Sequence, residues 1–200
     1  MYKAILSTVA VGVTFVAFVP YIRSIWHGQT KPHVFSWVVW GLTTVIVFFA
    51  QLADNAGMGA LPIGISGMIT LYIAFLSYQY RVDNTITQID WVFFILALSS
   101  LPCWYFASDP LWAVVILSVT DLLGFAPTFR KAYISPFEEQ LTIFVLMLFR
   151  NSLVIAALEH YSMTTVLFPV AVGMACGCFI AMVLIRRSIL SQAYNPQDRA

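Results

Sequence analysis

Charged residues are scarce in this chain. It has 10 Lys and Arg and 9 Asp and Glu among 200 residues, so that 10% of the chain is charged, whereas a soluble domain carries about 25%. A soluble fold could not bury the 60% of residues that are hydrophobic, and the mean hydropathy of +0.86 favours a lipid bilayer as the solvent. The net charge of +1 argues against a nucleic-acid partner, because such proteins carry a basic surface.

Cysteines and catalytic signatures are also few. There is no Gly-x-Ser-x-Gly, no His-Glu-x-x-His and no phosphate-binding glycine loop, so we predict no enzymatic activity and no cofactor. The three cysteines lie in apolar segments, which predicts small core residues, and the three histidines lie in predicted loops without metal-ligand spacing. These residues are Cys103, Cys176, Cys178, His27, His33 and His160.

Long apolar segments dominate the chain. Seven of them approach the roughly 20 residues that a membrane-spanning helix needs. They cover about 4–22, 34–53, 57–79, 88–107, 110–129, 139–158 and 163–185. No small-x-small cleavage site follows the first segment, which therefore indicates a membrane helix and not a signal peptide. We predict an all-α integral membrane protein with seven transmembrane helices.

Basic residues predict the orientation in the membrane, because cytoplasmic loops carry an excess of Lys and Arg. The predicted topology leaves only Lys3 on one side. The other side would hold Arg23, Lys31, Arg81, Arg130, Lys131, Arg186, Arg187 and Arg199. We therefore predict a bacterial inner (plasma) membrane protein with its N-terminus outside and its C-terminus in the cytoplasm.

Two short runs indicate an internal repeat. Phe-Val-Pro-Tyr-Ile-Arg ends at Arg23 and Phe-Ala-Pro-Thr-Phe-Arg ends at Arg130, 107 residues later, and the same offset carries Pro62 onto Pro169. Helices 1–3 then match helices 5–7, and helix 4 is an inversion linker that makes the repeats parallel. The predicted units are residues 1–82, the linker 83–108, residues 109–189 and a cytoplasmic tail 190–200.

Around the repeated prolines the chain resembles a family. Pro127-Thr128-Phe129 looks like the Pro-Thr-Phe signature of SWEET transporters, and Pro20-Tyr21 lies where the wider PQ-loop (MtN3-like) family has Pro-Gln. With the 3+1+3 arrangement, the chain resembles a seven-helix bacterial branch of this family over essentially its whole length. The resemblance implies two three-helix bundles in the order 1-3-2, with a midplane substrate site between them. Helices 3 and 7 lack the Asn and Trp that sugar-transporting members place there, so the sequence leaves the substrate open.

Four prolines and two charges are candidate functional residues. Proline removes a helical hydrogen bond, so Pro20, Pro127, Pro62 and Pro169 are predicted hinges, with static kinks as the alternative. Asp121 lies nine residues from Arg130, and Arg150 lies eleven residues from Glu139. Their depths are therefore about 13 and 16 Å, near the midplane. Opposite charges at one depth are expected to pair, directly or through water, as a substrate, proton or gating site or as a structural salt bridge.

Four further polar or aromatic residues complete the predicted substrate site. The repeat offset places Thr14 opposite Asp121 and Thr43 opposite Arg150, while Asn151 lies at the depth of Arg150. Trp37 is expected to belong to the interfacial aromatic belt. Trp40 lies one turn deeper in the membrane and is therefore included in the predicted substrate site.

These features favour a membrane transporter for a small polar solute, sugar-like or another small metabolite, working by facilitative alternating access. Its predicted partners are that small-molecule substrate and the lipid bilayer. The sequence does not decide substrate identity, proton coupling or homo-oligomer formation. The alternatives are a non-transporting receptor or assembly protein on the same scaffold, and a membrane enzyme that uses Asp121 as an acid or base.

Overall fold

A computed structural model describes residues 2–28, 34–80, 88–134, 136–138 and 141–193, and all regular structure in these ranges is helical. Seven α-helices are present there: α1 (Tyr2–Trp26), α2 (Val34–Ala53), α3 (Leu61–Gln79), α4 (Gln88–Ala107), α5 (Pro110–Ile134), α6 (Leu141–Ala157) and α7 (Met163–Ala193). Short 3-10 turns cover Gly57–Ala60 and Pro136–Glu138. Each predicted apolar segment is confirmed as a helix. However, α7 continues to Ala193, through the start of the predicted cytoplasmic tail, and residues 194–200 lie outside the described ranges.

The length and composition of the helices indicate a multi-pass membrane protein. Within the described ranges, three helices are long and apolar enough to cross a membrane: Tyr2–Trp26, Gly57–Gln79 and Met163–Ser191. The remaining four are shorter apolar helices. Large apolar side chains also face outward, as Phe106 does with 82% exposure, and such a surface suits lipid.

Residues at the helix ends explain where the helices start and stop. Gly28, with φ +69°, takes the left-handed conformation that ends α1. The Asp109 carboxylate accepts a hydrogen bond of 2.8 Å from the Leu111 amide at the start of α5, where Pro110 needs no amide partner. Ser162 and Thr165 cap α7 reciprocally, each hydroxyl accepting from the other residue's amide.

Helix packing follows one pattern in both halves of the chain. In the first half α3 packs against α1 and α2, and in the second half α7 packs against α5 and α6. Between the halves, α1 packs against α6 and α2 packs against α5. The contacts are therefore symmetric between the halves. If α1, α2 and α3 trade places with α5, α6 and α7, every helix pair named above becomes another pair named above. The remaining helix, α4, packs against α5 and α2.

The two ends of the bundle differ in how the halves are joined. We call them the Lys3 end, where α1 begins, and the Trp37 end, near the start of α2. At the Lys3 end a core cluster of Ala56, Ala60 and Leu158 joins both halves. At the Trp37 end one cluster is built on Phe18, Ile25, Ile73 and Leu76 from α1 and α3, and another on Ala132, Phe179 and Val183 from α5 and α7. The largest cluster also joins the halves, since it contains Val47 and Ile63 from the first half and Leu117, Val154 and Phe168 from the second. At the Trp37 end, by contrast, the buried residues of each cluster belong to one half, and the partly buried Met147 of α6 is the contact of the second half with the cluster of α1 and α3.

Candidate functional site

A cavity of about 210 Å³ lies between the two halves. Six helices line it, namely α1, α2 and α3 from one half and α5, α6 and α7 from the other. Its aromatic lining residues are Phe18, Trp37, Trp40, Phe125, Phe144 and Phe168. Its polar lining residues are Thr44, Ser66, Thr70, Asp121, Arg150 and Cys176. The lining extends from the middle of α3 and α6 to Trp37 and Ile143 near the Trp37 end, so the cavity occupies the region where the two cores separate.

Arg150 is the main cationic feature of the cavity wall. It lies in the middle of α6 and is 3% exposed. Its Nη2 donates a hydrogen bond of 3.0 Å to Oδ1 of Asn151, whose amide nitrogen donates to the Met147 carbonyl at 2.8 Å. Its Nε and Nη1 are buried and have no hydrogen-bond partner among the described residues. An unmatched buried donor costs about 1–3 kcal/mol, and more when it is charged, so a solute group that reached either nitrogen would remove this cost.

Asp121 lies on α5 and supplies the carboxylate of the cavity. It is partly buried, and among the described residues its carboxylate makes no hydrogen bond. Asp121 and Arg150 form no ion pair within 4.0 Å, because within the described ranges the ion pair at that distance is the one between His160 and Asp54. Both residues line one cavity. Their pairing through water and their common depth in the membrane stay predictions.

The other predicted site residues divide between the cavity wall and the protein core. Trp40 lines the cavity and packs edge-on against Trp37 with 5.6 Å between ring centres, and its role in substrate binding stays a prediction. Thr14 and Asn151 are fully buried. Thr14 donates to the Ala10 carbonyl at 2.9 Å and does not reach the cavity lining. Thr43 is buried beside the lining residue Thr44, and its hydroxyl has no partner among the described residues.

The four predicted hinge prolines differ in whether they lie inside a helix or at its start. Pro20 lies inside α1 and Pro169 inside α7, where each removes a helical hydrogen bond. Position 127 lies within α5, and the Pro127 side chain is outside the described part of the structure. Pro62 lies in the first turn of α3 after the 3-10 turn, where its missing amide costs no hydrogen bond. The position of Pro62 therefore gives no support to a hinge there.

Sequence reasoning missed several lining residues, and Trp37 is the clearest case. It was expected in the interfacial belt, but it lines the cavity and stacks on Tyr21 with 5.1 Å between ring centres. Its i, i+3 spacing from Trp40 was a usable signal, because residues with that spacing share a helix face. Cys176 is buried, as expected, and lines the cavity, whereas Cys103 and Cys178 are exposed and their assignment to the core was wrong.

Two loops close the bundle at the Lys3 end, and we call residues 54–60 and 158–162 the interlocked loops. The Glu159 amide donates to the Ala56 carbonyl at 3.0 Å, and Ser162 donates to the Asp54 carboxylate. The His160 ring lies 3.6 Å from that carboxylate. Because one loop belongs to each half of the chain, these bonds fasten the halves together at this end.

Helix α1 and two glycines complete this closure. The Lys3 ammonium donates to the Leu158 carbonyl at 2.7 Å, and the Ser7 hydroxyl donates to the Met58 carbonyl at 2.6 Å. A Cβ atom at Gly59 would lie 2.8 Å from the Leu158 backbone, and one at Gly57 would lie 2.2 Å from Cδ of Glu159. The backbone of Leu158 therefore excludes a side chain at Gly59, whereas a side chain at Gly57 would displace the exposed side chain of Glu159.

The described residues contain no group of three or more His, Cys, Asp or Glu side chains arranged to hold a metal ion. His27 and His160 are exposed, and His33 lies outside the described ranges.

The cavity lining offers one cation, one carboxylate, hydroxyls and aromatic faces for binding a small solute. Comparisons of the chain with family models, with curated proteins and with solved structures find no match.

Proposed function

We propose that this chain is a SWEET-like membrane transporter that moves a small polar solute by alternating access between its two halves. The observation that supports this most is the asymmetry of the bundle. The halves share a core and interlocked loops at the Lys3 end, and they separate around a cavity toward the Trp37 end. A transporter between turnovers needs such a site, closed toward one side of the membrane and lying between parts that can rock against each other.

In the proposed architecture all seven helices cross the bilayer. The two bundles, α1–α3 and α5–α7, are parallel repeats in the order 1-3-2, with α4 as the inversion linker. The packing of α3 between α1 and α2, and of α7 between α5 and α6, supports this order. The excess of Lys and Arg predicted at the Trp37 end would place that end in the cytoplasm and the Lys3 end outside.

The proposed cycle reverses the closure. The interlocked loops would part at the Lys3 end while the separate cores at the Trp37 end would come together. Pro20, Pro127 and Pro169 would serve as the flexible points of α1, α5 and α7, because each leaves one carbonyl without its helical donor. Because the helix pairs of the two halves match, the state closed at the Trp37 end could use a set of helix contacts similar to the one present here.

A flux screen tests this proposal. Purified protein in liposomes is offered sugars, amino acids, vitamins and carboxylates, and saturable uptake of one class is expected. Absence of uptake for every class, by protein that retains its helical circular dichroism and a cooperative thermal transition, would favour the non-transporting receptor or assembly protein.

A further inference from the structure

We infer that the cavity selects small solutes that carry a carboxylate together with a hydrogen-bond donor close to it. This inference rests on the proposed function and deepens it, because it names the substrate class of the same cavity. Its basis is the pair of opposite charges, Arg150 and Asp121, which line one cavity without contacting each other.

The first step of the inference is the guanidinium of Arg150. Asn151 accepts a bond from only one of its nitrogens, and Nε and Nη1 have no partner among the described residues. A guanidinium presents its donors in a rigid planar fork, and its second Nη2 hydrogen, paired with Nε or with Nη1, supplies the two parallel donors that match the two oxygens of a carboxylate. Because Asn151 is fully buried and is itself anchored to the Met147 carbonyl, it fixes the plane of that fork.

The second step is Asp121. A solute with a carboxylate alone would meet the like charge of Asp121 in the same cavity. A hydroxyl or ammonium group beside the carboxylate of the solute would donate a hydrogen bond to Asp121 while the carboxylate binds Arg150. Hydroxy acids and amino acids share this chemistry, and the experiment below separates them.

The third step is the body of the solute. Apart from the charged pair, the wall consists mainly of aromatic and aliphatic side chains, with Trp37, Ile143 and Phe144 near the Trp37 end and Met147 one turn deeper on α6. Aromatic faces and a flexible methionine accommodate an apolar or aromatic body. The hydroxyls of Thr44 and Thr70 already donate to carbonyls in their own helices, so they would add acceptors and not donors.

The test is uptake and binding of solutes that share one body and differ in their polar groups. The phenyl series is phenylalanine, phenyllactate, phenylpropanoate and phenethylamine, and the isobutyl series is leucine, 2-hydroxyisocaproate, 4-methylpentanoate and isoamylamine, with glucose as a neutral comparison. Uptake is measured in liposomes and binding by calorimetry in detergent. Within at least one series, the amino acid or the hydroxy acid is expected to exceed the acid without a donor and the amine by about tenfold.

Variants at the two charges assign the selectivity to residues. Arg150→Lys keeps the charge but loses the fork, so uptake of the preferred solute should fall by about tenfold. Asp121→Asn should reduce the advantage over the acid that lacks a donor. The matched controls are Ser152→Ala on α6 and Leu122→Ala on α5, both at exposed positions, and they should retain wild-type uptake. If Arg150→Lys does not fold, Asp121→Asn carries the test.

The outcomes separate the inference from the proposed function. Uptake of glucose or of the amines at the level of the carboxylates, or carboxylate uptake unchanged in Arg150→Lys, would overturn the inference and leave transport standing. Binding that depends on Arg150 without uptake of any solute would keep the inference for the cavity and overturn transport. Neither binding nor uptake of any solute would overturn both.

Discussion

Gly57 illustrates at the scale of one residue how the two halves are fastened at the Lys3 end. Its φ is +61°, a conformation that costs a residue with a side chain about 1–2 kcal/mol. A Cβ atom there would also lie 2.2 Å from Cδ of Glu159 in the other loop. Conformation therefore favours glycine at this position, and a methyl group there would also displace the Glu159 side chain, which accepts a hydrogen bond from the Met58 amide.

We predict that Gly57→Ala lowers the thermal unfolding temperature in detergent by more than Gly28→Ala does. Gly28 is the matched control, because it has φ +69° but nothing within 4 Å of a built Cβ. The conformational cost of about 1–2 kcal/mol is common to both variants, and the additional loss at Gly57 reports the contact with Glu159. Equal shifts in the two variants would mean that the loops do not press on each other at this point.

A double-mutant cycle separates steric crowding from conformational strain. Adding Glu159→Ala to Gly57→Ala should restore part of the lost stability, because it removes the side chain that the new methyl group meets. The coupling between Glu159→Ala and Gly28→Ala should be zero. The same thermal unfolding measurement serves for all of these variants.

Gly124 is the residue through which α5 supports Trp40 in the cavity wall. A Cβ atom at this position would lie 3.1 Å from Nε1 of Trp40, so the indole would have to move. We predict that Gly124→Ala raises the KM for uptake several-fold without lowering the unfolding temperature. Gly177→Ala, with open space around the built Cβ, should leave the KM unchanged. An unchanged KM in Gly124→Ala would show that the position of Trp40 does not matter to the solute.

The charged residues of the cavity were predictable from sequence, but its wall was not. Asp121 and Arg150 stand out because charges are rare inside apolar helices, and their distances from the helix ends give their depth. Thr44 and Cys176 carry no such signal. Whether they face the cavity depends on the rotation of each helix against its neighbours, which is determined by side-chain packing across the whole bundle.

The interlocked loops are the elements that decide which end of the bundle is closed. Gly59 lies in the 3-10 turn before α3, and a Cβ atom there would lie 2.8 Å from the backbone of Leu158. Because backbone atoms cannot rotate aside, Gly59→Ala should force the loops apart. We predict that it lowers the unfolding temperature and increases the reactivity of a cysteine introduced at Ser7, whose hydroxyl contacts Met58.

Gly12→Ala is the control for this element-scale prediction. Gly12 lies in α1 with nothing within 4 Å of a built Cβ, so alanine there should be neutral or stabilising by about 0.5–1 kcal/mol. If Gly59→Ala behaves as Gly12→Ala does, the loops have room that the structure does not show, and their role in closing this end is wrong.

Helices were the most predictable elements, because a run of about 20 apolar residues has few other uses. The seven segments correspond to seven helices, and the breaks at Asp54 and Ser108 lie between helices. The hydrogen bonds of those breaks were not predictable. Asp54, Glu159 and His160 form contacts across the two halves, and their spacing of more than 100 residues gives no local pattern.

At the scale of the whole molecule, the proposed transport requires motion between the halves, and it draws on the predicted repeat and on the closure of one end. The sequence predicted the repeat from Pro20 and Pro127 and from Pro62 and Pro169, and the exchange of helix contacts supports it. It could not predict which end is closed, because that depends on the few contacts of the interlocked loops. Alternating access requires that the cavity be reached from each side of the membrane in turn.

Cys176 provides the most direct measurement, because it is a native thiol in the cavity wall. Replacing the exposed residues Cys103 and Cys178 by alanine leaves it as the single cysteine. Protein reconstituted in liposomes is treated with a membrane-impermeant thiol reagent from either side. A second form also carries Asp54→Cys and Ser162→Cys, at a site where the native side chains hydrogen-bond to each other. Their disulfide is formed before any reagent is added, so that Cys176 remains the one free thiol.

Our account predicts that Cys176 reacts from both sides, and that the disulfide abolishes reaction from the Lys3 side while preserving it from the Trp37 side. In a separate sample of that form, not treated with the reagent, reducing the disulfide should restore transport. Three results would contradict alternating access: reaction from one side only in the form without the disulfide, continued reaction from the Lys3 side in the disulfide form, or no reaction from either side in folded protein.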